Sequence, residues 1–131
     1  MPQEDKIKRE IDRIGLVLAK LLSMLLDKEY PYSEARVEIT KQFQSELDID
    51  LDTFLAMNKE DSLQYLVNDK KCSIENLWDF ANLLYDLAHK TNDDQQRETL
   101  LRKAFHVYEY IHANNRGTVF LDVAYRIKEL G

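Results

Sequence analysis

Two amphipathic helical patterns between residues 74 and 115 constrain the fold more than any other feature of this chain. Apolar side chains recur there every three or four residues, first as Ile74, Leu77, Trp78, Ala81, Leu84, Tyr85 and Ala88, then as Leu100, Leu101, Ala104, Phe105, Tyr108 and Ile111. This spacing places one apolar stripe on each of two helices. The polar residues 91–94 can end one helix and cap the next. The pattern predicts an α-helical hairpin.

The remainder of the chain has the same periodicity, interrupted by recognisable breaks. Pro31 cannot continue a helix, Ser33 and Ser73 are typical N-caps, and Gly117 is typical of a helix C-terminus. Asn76 stands where a complete capping box has Glu or Gln, so we predict an incomplete box after Ser73. Further helices are predicted over residues 4–28, 34–47, 51–57, from 58 or 59 to 67, and 118–130.

Two of these helices carry expectations at single positions. In the second helix, Val37, Phe43 and Leu47 are predicted core residues. In the first helix, Gly15 interrupts a wide apolar stripe at a cost in helix stability, which predicts a close helix crossing or a kink.

Composition favours an all-α fold in a single domain. Three glycines and two prolines are too few for the turns of an all-β sandwich, and no strand pattern occurs. We predict a long N-terminal helix packed on a bundle of shorter helices, followed by the hairpin and a capping helix. One domain covers residues 1–131, with the N-terminal helices in 4–68 and the hairpin and cap in 73–131.

The charge distribution disfavours nucleic acid as a partner. The net charge is −6 and neither half of the chain is basic, whereas nucleic-acid binding draws most of its affinity from neutralising phosphates. The longest apolar run, residues 21–26, is too short to span a bilayer, and the polar, acidic N-terminus is unlike a signal peptide. We expect a cytoplasmic protein without a membrane partner, and keep helical nucleic-acid binding as a third hypothesis.

One run of aspartates has the spacing of calcium ligands. Asp48, Asp50 and Asp52 match the first three ligand positions of an EF-hand loop. Lys59, however, falls where that loop requires a bidentate glutamate. We therefore favour acids that cap and solvate a helix junction.

One helical segment contains histidines that could bind a metal. Glu109 and His112 form a Glu-x-x-His pair, but di-iron bundles need two such motifs and further inward glutamates. His106 and Glu109 are predicted on the wetter side of their helix. We expect no metal, cofactor or catalytic site, and the alternative is a small helical enzyme or a ligand- or metal-binding bundle that uses His106, Glu109 and His112.

The single cysteine is expected to be unreactive. Cys72 cannot form an internal disulfide. Lys70 and Lys71 precede it near a helix start, where positive charge could favour the thiolate. An incidental thiol in a reducing compartment is the favoured interpretation.

Aromatic residues of the hairpin are the candidate partner-binding residues, namely Trp78, Tyr85 and Tyr110. Tyrosines with one exposed edge are typical of interfaces, although they are also common in cores. The first helix is a second candidate surface. Two antiparallel copies could bury its wide stripe in a homodimer, or the shorter helices could cover it within the monomer.

The hairpin resembles a tetratricopeptide-repeat unit. Trp78, Ala81 and Tyr85 match the first helix of that repeat, and Ala104 and Tyr108 match the second. A single unit occurs where repeat folds normally stack three, and residues 118–130 could act as its capping helix. Segments 51–55, 76–77 and 84–85 are also similar to a group of bacterial all-helical proteins without an assigned activity, which implies a bacterial cytosolic protein.

These observations favour a non-catalytic interaction or scaffold module. It would recognise an unidentified protein or peptide through the concave face of the hairpin, with Trp78, Tyr85 and Tyr110 in contact with the partner.

Overall fold

A computed structural model describes the backbone of residues 2–114 and 121–131, with every side chain in those ranges except those of residues 2–8, 10, 11 and 121. This part of the chain is helical and contains no β-strand, which confirms the all-α prediction. Its α-helices are α1 Pro2–Leu25, α2 Tyr32–Gln42, α3 Leu51–Ala56, α4 Lys59–Gln64, α5 Ile74–Ala88, α6 Asp94–Asn114 and α7 Leu121–Leu130. None of these described helices has the length and apolar character needed to cross a membrane.

Helix α5 lies at the centre of the fold. It packs most extensively against α6 and α1, and α6 in turn contacts α7, α4 and α3. Nine of the fifteen residues of α5 are buried, so the helix is covered on several sides. Phe80, Leu83 and Leu87 extend its buried surface beyond the predicted stripe. The α5–α6 hairpin therefore forms the core of the molecule.

A cluster of three phenylalanines joins α2 and α3 to this central helix. The ring of Phe80 in α5 stacks on Phe43 with 5.5 Å between centroids, and it meets Phe54 of α3 edge-on at 5.2 Å. All three side chains are fully buried. Offset and edge-on ring pairs are favourable geometries for aromatic packing. Three elements far apart in sequence are thereby held together at one point.

Helix α1 packs along α5 through one side only. Ile14, Leu18, Leu21 and Leu25 are buried, whereas Leu16 on the opposite side is 73% exposed. Gly15 lies where α1 passes the start of α5. A Cβ atom added at Gly15 would lie 3.4 Å from the Asn76 side chain. The helix runs without interruption past this point. Homodimer formation through α1 stays a prediction.

Two predictions for α2 were wrong. Its N-cap is Pro31 and not Ser33, because the extended Pro31 supplies the carbonyl that accepts from the Ala35 N–H at 3.0 Å. Val37 is 67% exposed. The buried side of α2 is set by Ala35 and Ile39, four residues apart, and Val37 points about 200° away from both.

The start of α5 corrects a third prediction. The Ser73 hydroxyl accepts from the Asn76 N–H at 3.0 Å, and the Asn76 side chain accepts from the Ser73 N–H at 3.2 Å. The capping box is therefore complete with asparagine in place of Glu or Gln.

Single π-helical turns end both α2 and α4. They cover Phe43–Leu47 and Tyr65–Asp69. Each is followed within two residues by a left-handed non-glycine residue, Asp48 at φ 53° and Lys71 at φ 55°. The next backbone N–H then donates back to a carbonyl of the π turn, which turns the chain sharply.

The end of the hairpin and the start of the last helix were predicted at Gly117 and Thr118, which lie outside the described residues. Helix α6 ends at Asn114, and α7 follows from Leu121. Its Val123 is buried. The tetratricopeptide-like arrangement of hairpin and cap stays a resemblance.

Candidate functional site

A groove runs along α6 between that helix and the segment containing α2, α3 and α4. It consists of two cavities of about 630 and 390 Å³. Leu55, Gln95 and Thr99 line both cavities, so the two are adjacent along α6. From Gln95 to His106 the groove follows roughly 16 Å of helix. We call it the α6 groove.

The larger cavity has an apolar floor and polar edges. Leu55, Ala56 and Leu100 form apolar lining. One rim is fastened by the Tyr32 hydroxyl, which donates to the Gln96 side chain at 2.5 Å. The space is open to a ligand and offers amide and hydroxyl groups for hydrogen bonds.

Acidic residues of the α3 junction hold the wall of this cavity. Arg36 of α2 donates to Asp52 of α3 at 2.5 Å, and Asp50 caps α3 by accepting from the Thr53 N–H at 3.1 Å. These contacts agree with the prediction that the aspartates cap a helix junction. Asp48, the remaining member of the run, lies 3.9 Å from Lys70.

The smaller cavity is lined by basic side chains. Lys59 of α4 and Arg102, Lys103 and His106 of α6 surround it. Two of the cations have intramolecular partners, since Lys59 lies 3.5 Å from Glu109 and Arg102 lies 2.9 Å from Glu98. We call this space the cationic cavity.

Lys103 is the exceptional member of this set because it is only 6% exposed. Its ammonium donates to the Met57 carbonyl and to the Ser62 hydroxyl, and lies 5.4 Å from the centre of the Phe54 ring. Among the described residues no carboxylate lies within ion-pair distance of it. Burial of this cation lowers the pKa of Lys103. The lysine ties the α3–α4 corner to α6.

The Ser62–Lys103 pair has the composition of a catalytic dyad, but its geometry is structural. The Ser62 side chain is 1% exposed, and its hydroxyl also bonds the Asn58 carbonyl at 2.7 Å. A nucleophile must reach its substrate. Ser62 does not line the cationic cavity, so its hydroxyl cannot reach a substrate bound there.

His106 faces the same cavity in a half-buried position. Burial lowers the pKa of His106, with Lys59, Lys103 and Arg102 acting in the same direction and Glu109 acting against them. A pKa below the ordinary value of 6.5 favours the neutral imidazole at pH 7. Its Nδ1 is buried and has no hydrogen-bond partner among the described residues.

The sequence grouped His106 with Glu109 and His112, and the structure gives these three residues different surroundings. Glu109 is half-exposed and pairs with Lys59, and His112 is exposed. Across the described residues, no group of three or more His, Cys, Asp or Glu side chains is arranged to hold a metal ion. The residues that accompany His106 are Lys59, Arg102 and Lys103.

Tyr85, a predicted partner contact, is a packing residue between α5 and α7. It is 8% exposed. Its hydroxyl donates to Glu129 at 2.6 Å, and the Arg126 guanidinium lies 3.8 Å from its ring centre. His89 packs on the ring from the C-terminal end of α5 at 4.4 Å. This burial does not support a contact between Tyr85 and a partner.

The other two predicted contacts, Trp78 and Tyr110, are half-buried. Trp78 packs against Tyr108 with 5.6 Å between ring centroids. Tyr108 is completely buried, as the hairpin stripe predicted, and donates to Asn82 at 2.6 Å. Neither Trp78 nor Tyr110 lines the α6 groove, so the predicted contact residues and the groove lie at different places.

Lys103 is the important residue that the sequence interpretation missed. The predicted stripe of α6 ran through Leu101 and Phe105, which are half-buried, whereas Lys103 and Val107 are buried. A signal was present, because position 103 lies three residues after Leu100 and four before Val107. A lysine at helix positions otherwise occupied by apolar residues indicates a buried cation.

Cys72 is expected to react slowly with thiol reagents. Burial raises its pKa to about 12, against a smaller opposing effect of Lys70, so the thiolate alternative is wrong. At pH 8 a smaller fraction of Cys72 is thiolate than for a free thiol, although the thiolate that does form is a stronger nucleophile. Labelling by a disulfide reagent should therefore be on the order of fiftyfold slower than for a free thiol. The unfolded protein is the control and should react at the free-thiol rate. Equal rates for the folded and unfolded protein would contradict this account.

Comparisons with known proteins gave no further guidance. No protein-family model matches the chain, and no curated protein or solved structure matches it either.

Proposed function

We propose that this protein is a non-catalytic interaction module that binds an extended segment of a partner protein in the α6 groove. The observation that carries the proposal is that two adjacent cavities beside α6 share three lining residues. A groove of roughly 16 Å accommodates about five residues of extended chain. Peptide grooves of this kind combine apolar pockets with polar groups along the edge.

The chemistry of the lining supports a peptide as the ligand. Leu55 and Leu100 offer apolar contact, while Gln95 and Thr99 can bond the amide groups of an extended chain. We prefer the α6 groove to the concave hairpin face expected from the sequence, because α1 packs against α5 and α7 packs against α6.

Filling the groove is expected to weaken peptide binding. Thr99 is exposed and lines both cavities, so Thr99→Trp places an indole in the shared space. Peptides selected from a random displayed library against the wild-type protein should bind this variant at least tenfold more weakly, since each lost apolar contact removes about 1 kcal/mol or more. Fluorescence polarisation with the purified peptides measures the change.

Ala19→Trp is the matched control. Ala19 is an exposed position on α1 and lines neither cavity, so the same side chain is added away from the groove. Its peptide affinity should stay within twofold of wild type. The proposal fails if the library yields no binder, or if Thr99→Trp binds the selected peptides as well as Ala19→Trp does.

A further inference from the structure

The cationic cavity carries more positive charge than its neighbouring acids compensate. Three cations line it, and Glu98 and Glu109 pair with two of them, Arg102 and Lys59. The third, Lys103, is buried and has no carboxylate partner among the described residues. One unit of positive charge, that of the buried Lys103, is therefore uncompensated at this cavity. In a protein with net charge −6, such a local excess is unusual and favours an anion.

We propose that the cationic cavity binds one carboxylate of the partner, so that the segment held in the α6 groove carries an Asp or Glu side chain at this end. The inference rests on the proposed function for the identity of the partner. Its physical basis is charge complementarity, because a single carboxylate matches the single uncompensated cation. A phosphate dianion would bring a second negative charge that the cavity does not balance.

The side chains around the cavity suit this ligand. Arg102 can donate two parallel N–H bonds to a ligand carboxylate if it releases its exposed partner Glu98 and binds the ligand in exchange. Exposed ion pairs contribute little, so this exchange costs little. Lys59 can exchange Glu109 in the same way.

His106 supplies a further donor. Its Nδ1 is buried without a partner, and a buried unpaired N–H is rarer than a buried unpaired acceptor. We therefore expect the proton on Nε2, where it can donate to the ligand. A bound carboxylate should also raise the pKa of His106, as Glu109 already does. It would oppose the lowering of that pKa by Lys59 of α4 and by Arg102 and Lys103 of α6.

The test uses a small probe, so that it does not depend on the peptide. N-acetyl-glutamate methylamide is titrated into the full chain while the ring signals of His106 are followed by NMR, with N-acetyl-glutamine methylamide as the neutral comparison. We expect saturable shifts with the first compound and none with the second. Arg102→Ala should weaken binding on the order of tenfold.

Removal of the competing acids gives a result that a purely structural role would not produce. Glu98→Gln and Glu109→Gln free Arg102 and Lys59, and each should tighten binding of the glutamate probe by about two- to fivefold. Glu46→Gln is the matched control, because it breaks an exposed pair with Arg13 at 3.4 Å elsewhere on the molecule. It should leave probe binding unchanged.

The outcomes separate this inference from the proposed function. If displayed peptides bind the groove but neither acidic replacement tightens binding of the glutamate probe, the carboxylate site is wrong and the peptide groove stands. Glutamate binding without any peptide binder leaves the carboxylate site supported and the proposed function overturned. Inorganic phosphate that binds tenfold more tightly than the glutamate probe overturns the choice of a carboxylate.

Discussion

Phe80→Ala is expected to lower the free energy of unfolding by about 3–5 kcal/mol, the range for large-to-small changes at buried aromatic positions. Phe80 is 1% exposed and contacts Phe43 and Phe54 at centroid distances of 5.5 and 5.2 Å. The truncation removes its transfer free energy and both ring contacts, and it leaves a cavity at the junction of three elements. Because stabilities of single domains are only about 5–15 kcal/mol, this change removes a large part of the total. Urea denaturation followed by circular dichroism measures it.

The same truncation is expected to weaken the α6 groove. Phe54 belongs to α3, the wall of the groove, and α3 is held to α5 through Phe80. Peptide binding should therefore fall together with stability.

Tyr125→Ala is the matched control for this truncation. Tyr125 is 64% exposed, so its truncation should change stability by no more than about 0.5 kcal/mol. A loss below 1 kcal/mol for Phe80→Ala would show that the junction can collapse around the missing ring.

The hairpin was predictable because its signals are local. Periodicity and caps predicted helices between residues 74 and 115, and the structure has them at Ile74–Ala88 and Asp94–Asn114. Apolar spacing reports which side of a helix is buried, and a polar run reports where the helix ends. Both are read within a few residues, without knowledge of what packs against the helix.

The groove could not be predicted in the same way. Its walls come from α3 and α6, which are nearly forty residues apart in the chain, and no local pattern states that these elements are neighbours. Val37 shows the same limitation, because an isolated apolar residue does not reveal its orientation relative to Ala35 and Ile39. The π turns before Asp48 and Lys71 also lack the glycine that normally signals a left-handed helix end.

Lys103 connects fold and function, since one side chain both lines the cationic cavity and fastens its wall. It is the only cation of the cavity that is fully packed against the α3–α4 corner. A partner carboxylate bound there would supply the counterion that the buried ammonium lacks. Binding of an acidic segment is therefore expected to stabilise the fold as well as to occupy the groove.

Lys103→Ala is expected to destabilise the protein by about 2–4 kcal/mol. The change removes two hydrogen bonds that the ammonium donates, to the Met57 carbonyl and to the Ser62 hydroxyl, at about 1.5–3 kcal/mol for each bond to a charged group, and it removes the packing of the lysine stem. Relief from burying an ammonium offsets part of this loss. Lys41→Ala, at an exposed position of α2, should change stability by no more than about 0.5 kcal/mol.

Lys103→Met separates the charge from the packing, and its effect should depend on pH. The pKa of Lys103 in the folded protein lies below its ordinary value of 10.5. Between these two pH values the unfolded state holds more protons than the folded state. The contribution of Lys103 to the free energy of unfolding of the wild type therefore rises with pH. Lys103→Met lacks the titration, and contributions of groups that Lys103 does not influence cancel in the difference. His106, whose pKa burial and Lys103 both lower from its ordinary value of 6.5, titrates mainly below the range compared. The free energy of unfolding of the wild type, minus that of Lys103→Met, should therefore increase from pH 7 towards pH 10.5 in parallel denaturation series, whereas a constant difference would mean that the ammonium is not desolvated in the folded protein.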